Sequence, residues 1–249
     1  MEQKVVLITG GSRGIGKETA LLAAKKGWDV VITYNRQQNA AEKVVREIET
    51  IGSKAFALQV DITLEQEIYH LFQVIDQEFG RLDALVNNAG VIALISPFID
   101  MSPSRIRDVF NVNVIGAFIC AQEAVKRMAH SKGGKGGAIV NVSSAASRIG
   151  SPNEFIDYAA SKGAIDTMTI GLSKEVAAEG IRVNAVRPGL INTQMHIDTG
   201  DANRAERLKE FIPAQRIGTS MEVANSILWL ISDEASYVNG SLLDVSGGR

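Results

Sequence analysis

A single cysteine, Cys120, stands among 249 residues, so no intrachain disulfide can form and the fold has to rest on packing alone. Charge of one sign is equally scarce. Twenty-eight acidic against 26 basic side chains give a formal net charge of −2, and no run of like charge is sustained, which leaves no electrostatic footprint for nucleic acid or an anionic membrane. The partner expected is therefore a small molecule. No apolar stretch approaches about 18 residues, so no segment reads as a membrane-spanning helix. The opening residues run straight into an apolar strand without a signal h-region or a transit composition, and a soluble cytoplasmic protein is the expectation. Linkers are missing too. The one low-complexity piece, Gly133-Gly134-Lys135-Gly136-Gly137, has apolar periodicity on both sides and is expected to be a mobile surface loop before a strand.

What is present is alternation. Hydrophobic residues make up 45% of the chain and are spread evenly, enough for one large core spanning residues 1–249. Residues 4–9 form a short continuous apolar run, the pattern of a parallel strand covered on both faces. Apolar spacing then turns helical over 15–26 and returns to a strand at 28–34, which completes a βαβ unit. Further strands are expected at 54–60, 84–87, 138–142, 181–187 and 241–245. Helices are expected at 40–51, 64–79, 104–131, 155–179 and 221–232. Seven strands alternating with six helices predict an α/β fold: a single doubly wound, Rossmann-type domain with a seven-stranded parallel sheet and helices on both faces. Ligands of such sheets bind beyond the carboxyl ends of the strands, where strand order reverses. Polar or glycine-rich sequence falls at those ends: Thr9-Gly10, Asp61, Asn87-Asn88-Ala89-Gly90, Ser143-Ser144 and Pro188-Gly189.

The first strand is followed by Thr9-Gly10-Gly11-Ser12-Arg13-Gly14-Ile15-Gly16. Gly10 permits a tight turn, Gly14 lets backbone approach a pyrophosphate, and Gly16 allows close helix packing. The phosphates would face a helix N-terminus, whose free amides and dipole favour anions. The second strand ends in Tyr34-Asn35-Arg36 with no carboxylate for a ribose 2′-hydroxyl, and Arg13 lies in the turn. NADP(H) is therefore expected in preference to NAD(H), which stays possible. Asp61, just before Ile62, is expected to accept from an adenine amino group and can at the same time cap the helix that follows. Asn88, Ala89 and Gly90 leave room for a ribose while bridging neighbouring strands. No metal site is expected.

Tyr158 and Lys162 stand four apart within Asp157-Tyr158-Ala159-Ala160-Ser161-Lys162 and so share a helix face. An ammonium beside the phenol would favour the phenolate. Bringing a tyrosine from pKa ~10 to ~7 needs about 4 kcal/mol, roughly what one charge at ~4 Å supplies at an effective dielectric of ~20. The expectation is thus a phenol tuned downward to act as acid and base near neutral pH.

These motifs, in this order and over essentially the whole chain, resemble the short-chain dehydrogenase/reductases. The resemblance implies an enzyme acting on CH–OH donors, interconverting a carbonyl and a secondary alcohol by hydride transfer. It implies a catalytic group of Asn113, Ser144, Tyr158 and Lys162. Ser144, rather than neighbouring Ser143, would hold the substrate oxygen against Tyr158. Lys162 would also bind the nicotinamide ribose, and Asn113, selected over Asn111 by Gly116 three residues on, would hold a water linking Lys162 to solvent. Pro188, Gly189, Ile191 and Thr193 would meet the nicotinamide. The resemblance extends to glucose dehydrogenases and 3-oxoacyl carrier-protein reductases, the latter requiring basic residues near the mouth, with Arg105, Arg107, Lys126 and Arg127 as candidates. It also implies a homo-oligomer, a tetramer, built on helices 104–131 and 155–179. A catalytically silent dinucleotide-binding regulator is the reading from a different class. Substrate recognition is expected on residues 91–103 and on a lid at about 190–217, where Ile92, Leu94, Ile95, Phe98, Met195, His196, Phe211 and Ile212 predict a moderately apolar pocket. His196 is read as lid packing rather than catalysis.

Overall fold

Successive residues of a strand point to opposite sides of its sheet, and the first strand, β1 (Val5–Ile8), obeys this with every residue buried. Val6 and Ile8 enter one apolar cluster and Val5 and Leu7 the other, so both faces are covered. That is why its sequence is continuously apolar. In the computed structural model, which describes residues 3–194, 199, 201 and 204–249, β1 leads through α1 (Gly14–Lys25) to β2 (Asp29–Tyr34), α2 (Gln38–Ile51) and β3 (Ala55–Gln59). Helix α3 (Glu65–Phe79) then crosses back to β4 (Ala84–Asn87), followed by α4 (Pro103–Phe110), α5 (Ala117–Met128) and β5 (Gly137–Val142). Short α6 (Ala146–Ile149), long α7 (Ile156–Glu175), β6 (Ile181–Pro188), α8 (Arg204–Leu208), α9 (Ser220–Ile231) and β7 (Leu242–Val245) complete the chain.

The seven strands pair in parallel in the order β3-β2-β1-β4-β5-β6-β7, a single doubly wound Rossmann sheet. Helices α1, α2 and α9 contribute to one apolar cluster and α3 and α5 to the other. The chain builds outward from β1 to β3, then returns to lay β4 against the other side of β1. The switch point therefore lies between β1 and β4.

Two expectations are corrected. The helix expected over 104–131 runs continuously from 103 to 128, but it is not regular: a wider π turn, Asn111–Gly116, joins α4 to α5. The apolar period continues through it, but tertiary contacts override the regular helix. A Cβ on Gly116 would stand 2.5 Å from the Ile62 carbonyl oxygen, and the Asn113 side chain is held by Val91. Such turns concentrate at functional sites. The glycine run 133–137 is packed rather than loose. Gly134 and Gly136 donate to the Ala129 and Met128 carbonyls at 2.9 and 2.8 Å, Gly137 opens β5, and a Cβ on Gly134 would collide with the Met128 backbone.

Candidate active site

At the switch point the ends of β1 and β4 are tied together. Asn88 Nδ2 donates to the carbonyls of Thr9 (2.8 Å) and Gly10 (3.0 Å), while the backbone amides of Asn88 and Ala89 both donate to Thr9 Oγ1 at 3.0 Å. Gly10 and Gly14 take φ of +67° and +56°, left-handed values that suit glycine. A Cβ on Gly16 would run into the Gly10 carbonyl and stand 2.6 Å from Asn88 Nδ2, and one on Gly14 would lie 3.6 Å from Thr193 Cγ2. The cradle is therefore shaped by missing side chains. Helix α1 opens behind it with no acidic residue in its first turn and no side-chain cap at Arg13, so its N-terminal dipole faces the cradle without a protein carboxylate in the way. These residues fit a dinucleotide pyrophosphate.

At the end of β2, Asn35 and Arg36 are exposed, as is Arg13 in the turn; Ser12 and Ile15 are half-buried. Asp61 is not the helix cap, which is Leu64. Its carboxylate instead accepts from Thr63 N (3.0 Å) and Thr63 Oγ1 (2.7 Å). Those bonds, with help from Asn35 and the charge of Arg36, hold its pKa below the usual range despite some burial. The Ile62 side chain is buried in the apolar cluster beneath Gly116.

On the far side of β4 a cleft is lined by Gly90, Ser143, Ser144, Tyr158, Lys162, Pro188, Gly189, Ile191 and Thr193, among others. The two serines are separated by geometry. Ser143 is buried and its hydroxyl donates to the Lys162 carbonyl at 3.2 Å. Ser144 is half-buried, accepts from Ala146 N at 3.1 Å and lines the cleft with Tyr158. Lys162 Nζ, also buried, donates to the Val142 carbonyl at 2.7 Å and stands 5.6 Å from the Tyr158 ring centre. Asn113 is buried: its amide accepts from Val91 N at 2.8 Å and donates to Val91 O at 2.9 Å and Ser161 Oγ at 3.1 Å.

The electrostatics reverse one expectation. Burial pushes the Tyr158 phenol above its ordinary pKa, opposed by the Ser144 hydrogen bond and by the charge of Arg204. Burial also lowers Lys162 to about 8, with Asp166 working the other way. The spacing did bring the two side chains to one helix face, but the ammonium is bonded to Val142, and desolvation outweighs its pull on the phenol.

Residues 10–249 match the family model described as enoyl-(acyl carrier protein) reductase. Over 245 residues the chain is 54% identical to the uncharacterized oxidoreductase YgfF of Escherichia coli K12, covering 98% of this chain and 99% of that one. It is 36% identical to the 3-oxoacyl-[acyl-carrier-protein] reductase FabG of Staphylococcus aureus Mu50, covering 98% and 97%. Among solved structures, a short-chain dehydrogenase from Burkholderia cenocepacia J2315 in complex with NADP superposes with TM-score 0.92 at 33% identity, covering 99% and 98%. The chain belongs to the short-chain dehydrogenase/reductase family, a family of oxidoreductases.

Several residues of this dehydrogenase/reductase site carried no signal in the sequence. Asp157, its side chain 2% exposed, receives Arg105 Nε at 2.7 Å and Nη2 at 3.2 Å, and also accepts from Tyr158 N at 2.9 Å. Arg105 thus holds the first turn of α7, the turn that carries Tyr158. Arg204 and Arg249 line the cleft. Arg204 is bound to Glu154 Oε2 at 2.6 Å and stacks on Phe155 with 5.1 Å between guanidinium carbon and ring centre. Nothing in the spacing of residues 190–217 distinguishes Arg204 from its charged neighbours. Met195 and His196 lie outside the described residues. Phe211 is exposed and Ile212 buried against Gly247.

Proposed function

We propose that the protein is an NADP(H)-dependent oxidoreductase interconverting a carbonyl and a secondary alcohol, with Tyr158 giving or taking the proton. One observation carries this: Tyr158, Ser144 and Lys162 line one cleft whose wall continues through Gly90 and Asn88 to Ile15 of the glycine cradle at the switch point. A bound NADPH supplies a hydride to the carbonyl carbon. Tyr158 gives its proton to the carbonyl oxygen, and Ser144 donates a hydrogen bond that holds that oxygen against the phenol. Burial keeps Tyr158 protonated at neutral pH, the state from which reduction starts. Lys162 binds the nicotinamide ribose hydroxyls, and Asn113 fixes the Val91 backbone at the cleft edge and Ser161 on the helix of Tyr158 and Lys162. Gly10, Ser12, Gly14, Ile15 and Gly16 receive the pyrophosphate. Asp61, Ile62, Asn88, Ala89 and Gly90 take the adenosine and ribose, and Pro188, Gly189, Ile191 and Thr193 the nicotinamide. Exposed Arg13 and Arg36, with Asn35 between strand and helix, favour the 2′-phosphate.

A small carbonyl substrate is favoured over an acyl carrier protein, which would need a cluster of cations at the mouth. Of the four candidates, Arg105 is committed to Asp157 and Lys126 to Glu123. Arg127 is bound to Asp76 and Glu123 at the opposite, amino edge of the sheet, and Arg107 alone is an exposed cation without an ion pair among the described residues. For the homotetramer we place contacts on the exposed apolar residues Ile115, Phe118 and Ile170. Beside them, Cβ positions on Gly163 and Gly171 meet nothing within 4 Å.

The test is NADPH consumption over a panel of ketones, aldoses and acyl thioesters, with Tyr158→Phe alongside. Turnover should fall by about 10²–10⁴ in the variant, with NADPH binding retained by fluorescence titration. Full activity of Tyr158→Phe refutes Tyr158 as the proton donor. Absence of turnover across the panel, with cofactor still bound, returns the protein to the regulatory class.

A further inference from the structure

The cleft beside Tyr158 carries an unbalanced charge. Its charged lining residues are Lys162, Arg204 and Arg249, and no carboxylate is among those described. Lys162 is bonded to Val142 at the cleft floor. Arg204 is 7% exposed, and its charge reaches the Tyr158 hydroxyl. Glu154 holds Arg204 from behind, outside the lining, through Nε at 3.2 Å and Nη2 at 2.6 Å. That pair neutralises one of the two guanidinium charges.

Arg249 is left over. Its hydrogen bonds run through the backbone: its amide donates to Ser246 O at 3.3 Å, and its main-chain oxygen accepts from Arg148 Nη2 and Ser246 Oγ, both at 2.9 Å. The guanidinium lies partly buried near the like charge of Arg204, with Glu154 the acidic group that faces it. Asp244, the other nearby carboxylate, is shared between Arg148 and Arg187 at 3.4 and 2.9 Å. Two arginines lining one largely apolar cleft form an arrangement that can receive a planar, two-oxygen anion.

We propose that the carbonyl compound reduced here is an oxo acid, its carboxylate received by Arg249 and Arg204 while its ketone oxygen lies at Ser144 and Tyr158. This rests on the reductase reading and adds the substrate class. Reduction then yields a hydroxy acid: hydride to the carbonyl carbon, proton to the oxygen, carboxylate unchanged.

The test uses the full chain with NADPH and a matched pair of substrates, 3-oxobutanoate and its methyl ester, in the wild type and in Arg249→Gln. Arg249 lies in the last turn of the chain, beyond β7, so the variant leaves the core intact. The acid should be favoured over the ester in kcat/KM by about tenfold or more, the value of one charge-assisted hydrogen bond, and the ratio should collapse toward one in Arg249→Gln. A wild type that prefers the ester, or a ratio unmoved by the substitution, overturns the proposal. A second readout needs no turnover: calorimetric titration of the NADP⁺-loaded protein with the inert carboxylate malonate. Saturable binding weakened about tenfold in Arg249→Gln supports the anion site; binding that is absent or unchanged refutes it. If neither substrate turns over while malonate binding behaves as expected, the reductase reading fails and the anion site stands.

Discussion

Replacing Lys162 by methionine should stabilise the protein at neutral pH while abolishing turnover. The lysine is 5% exposed, and burial lowers its pKa from 10.5 to about 8. At 1.36 kcal/mol per unit, carrying the ammonium in the folded protein costs about 3 kcal/mol relative to the unfolded chain. Methionine keeps the stem and discards the charge, but strands the Val142 carbonyl that Lys162 Nζ now reaches at 2.7 Å, a loss of about 1–2 kcal/mol. A net gain of about 1–2 kcal/mol is expected near pH 7, measurable by urea unfolding. The pH dependence decides the cause. Between about 8 and 10.5 the unfolded lysine is protonated and the folded one is not, so the unfolded state binds more protons and wild-type stability rises with pH across that window. The variant, lacking this group, should lose its advantage and be overtaken. A variant less stable than wild type at pH 7, or a difference constant from pH 7 to 10, refutes the desolvation argument.

Gly16→Ala should empty the cofactor site, because its methyl group would meet the Gly10 carbonyl and stand 2.6 Å from Asn88 Nδ2; a fall of at least about tenfold in NADPH affinity, with about 1–3 kcal/mol of lost stability, is expected from fluorescence titration and urea unfolding. Arg105→Leu should cost about 3–5 kcal/mol in urea unfolding, since it leaves the Asp157 carboxylate, 2% exposed, without its ion-pair partner. Arg36→Asp should exchange NADPH for NADH as the better cofactor, read as a reversal of the kcat/KM ratio; an unchanged ratio removes Arg36 from 2′-phosphate recognition.

The sheet was legible because its strands are covered on both faces. Val5 to Ile8, Val30 to Ile32 and Ala84 to Val86 are all buried, so each reads as an unbroken apolar run between glycine-rich or polar ends. The chain's return across the sheet follows from the same alternation. The π turn was not legible, since what widens the helix at Asn111–Gly116 is the Ile62 carbonyl over Gly116 and the Val91 backbone bonded to Asn113, contacts far apart in sequence. The glycine run 133–137 misled for the same reason. Its composition is that of a loose loop, whereas at Gly134 and Gly136 the Met128 and Gly180 backbones approach so closely that side chains would not fit.

Within the site, residues whose role depends on local backbone could be read: the cradle glycines, Asn88 beside them, and Tyr158 with Lys162 one helical turn on. Roles that depend on what a side chain meets across the fold could not. Spacing places the lysine near the phenol, yet the Val142 carbonyl at the end of β5 takes the ammonium's hydrogen bond. Burial then dominates: the same desolvation raises the acid of the pair and lowers the base, so the site holds a neutral phenol beside an ammonium that gives up its proton more readily. Arg204 and Ser144 are the groups that pull the phenol back down. An anion bound between Arg204 and Arg249 would offset that guanidinium charge and raise the phenol further, keeping it protonated but making it a weaker acid. Carboxylate recognition would then work against proton donation, which leaves Ser144 as the group that draws the phenol down.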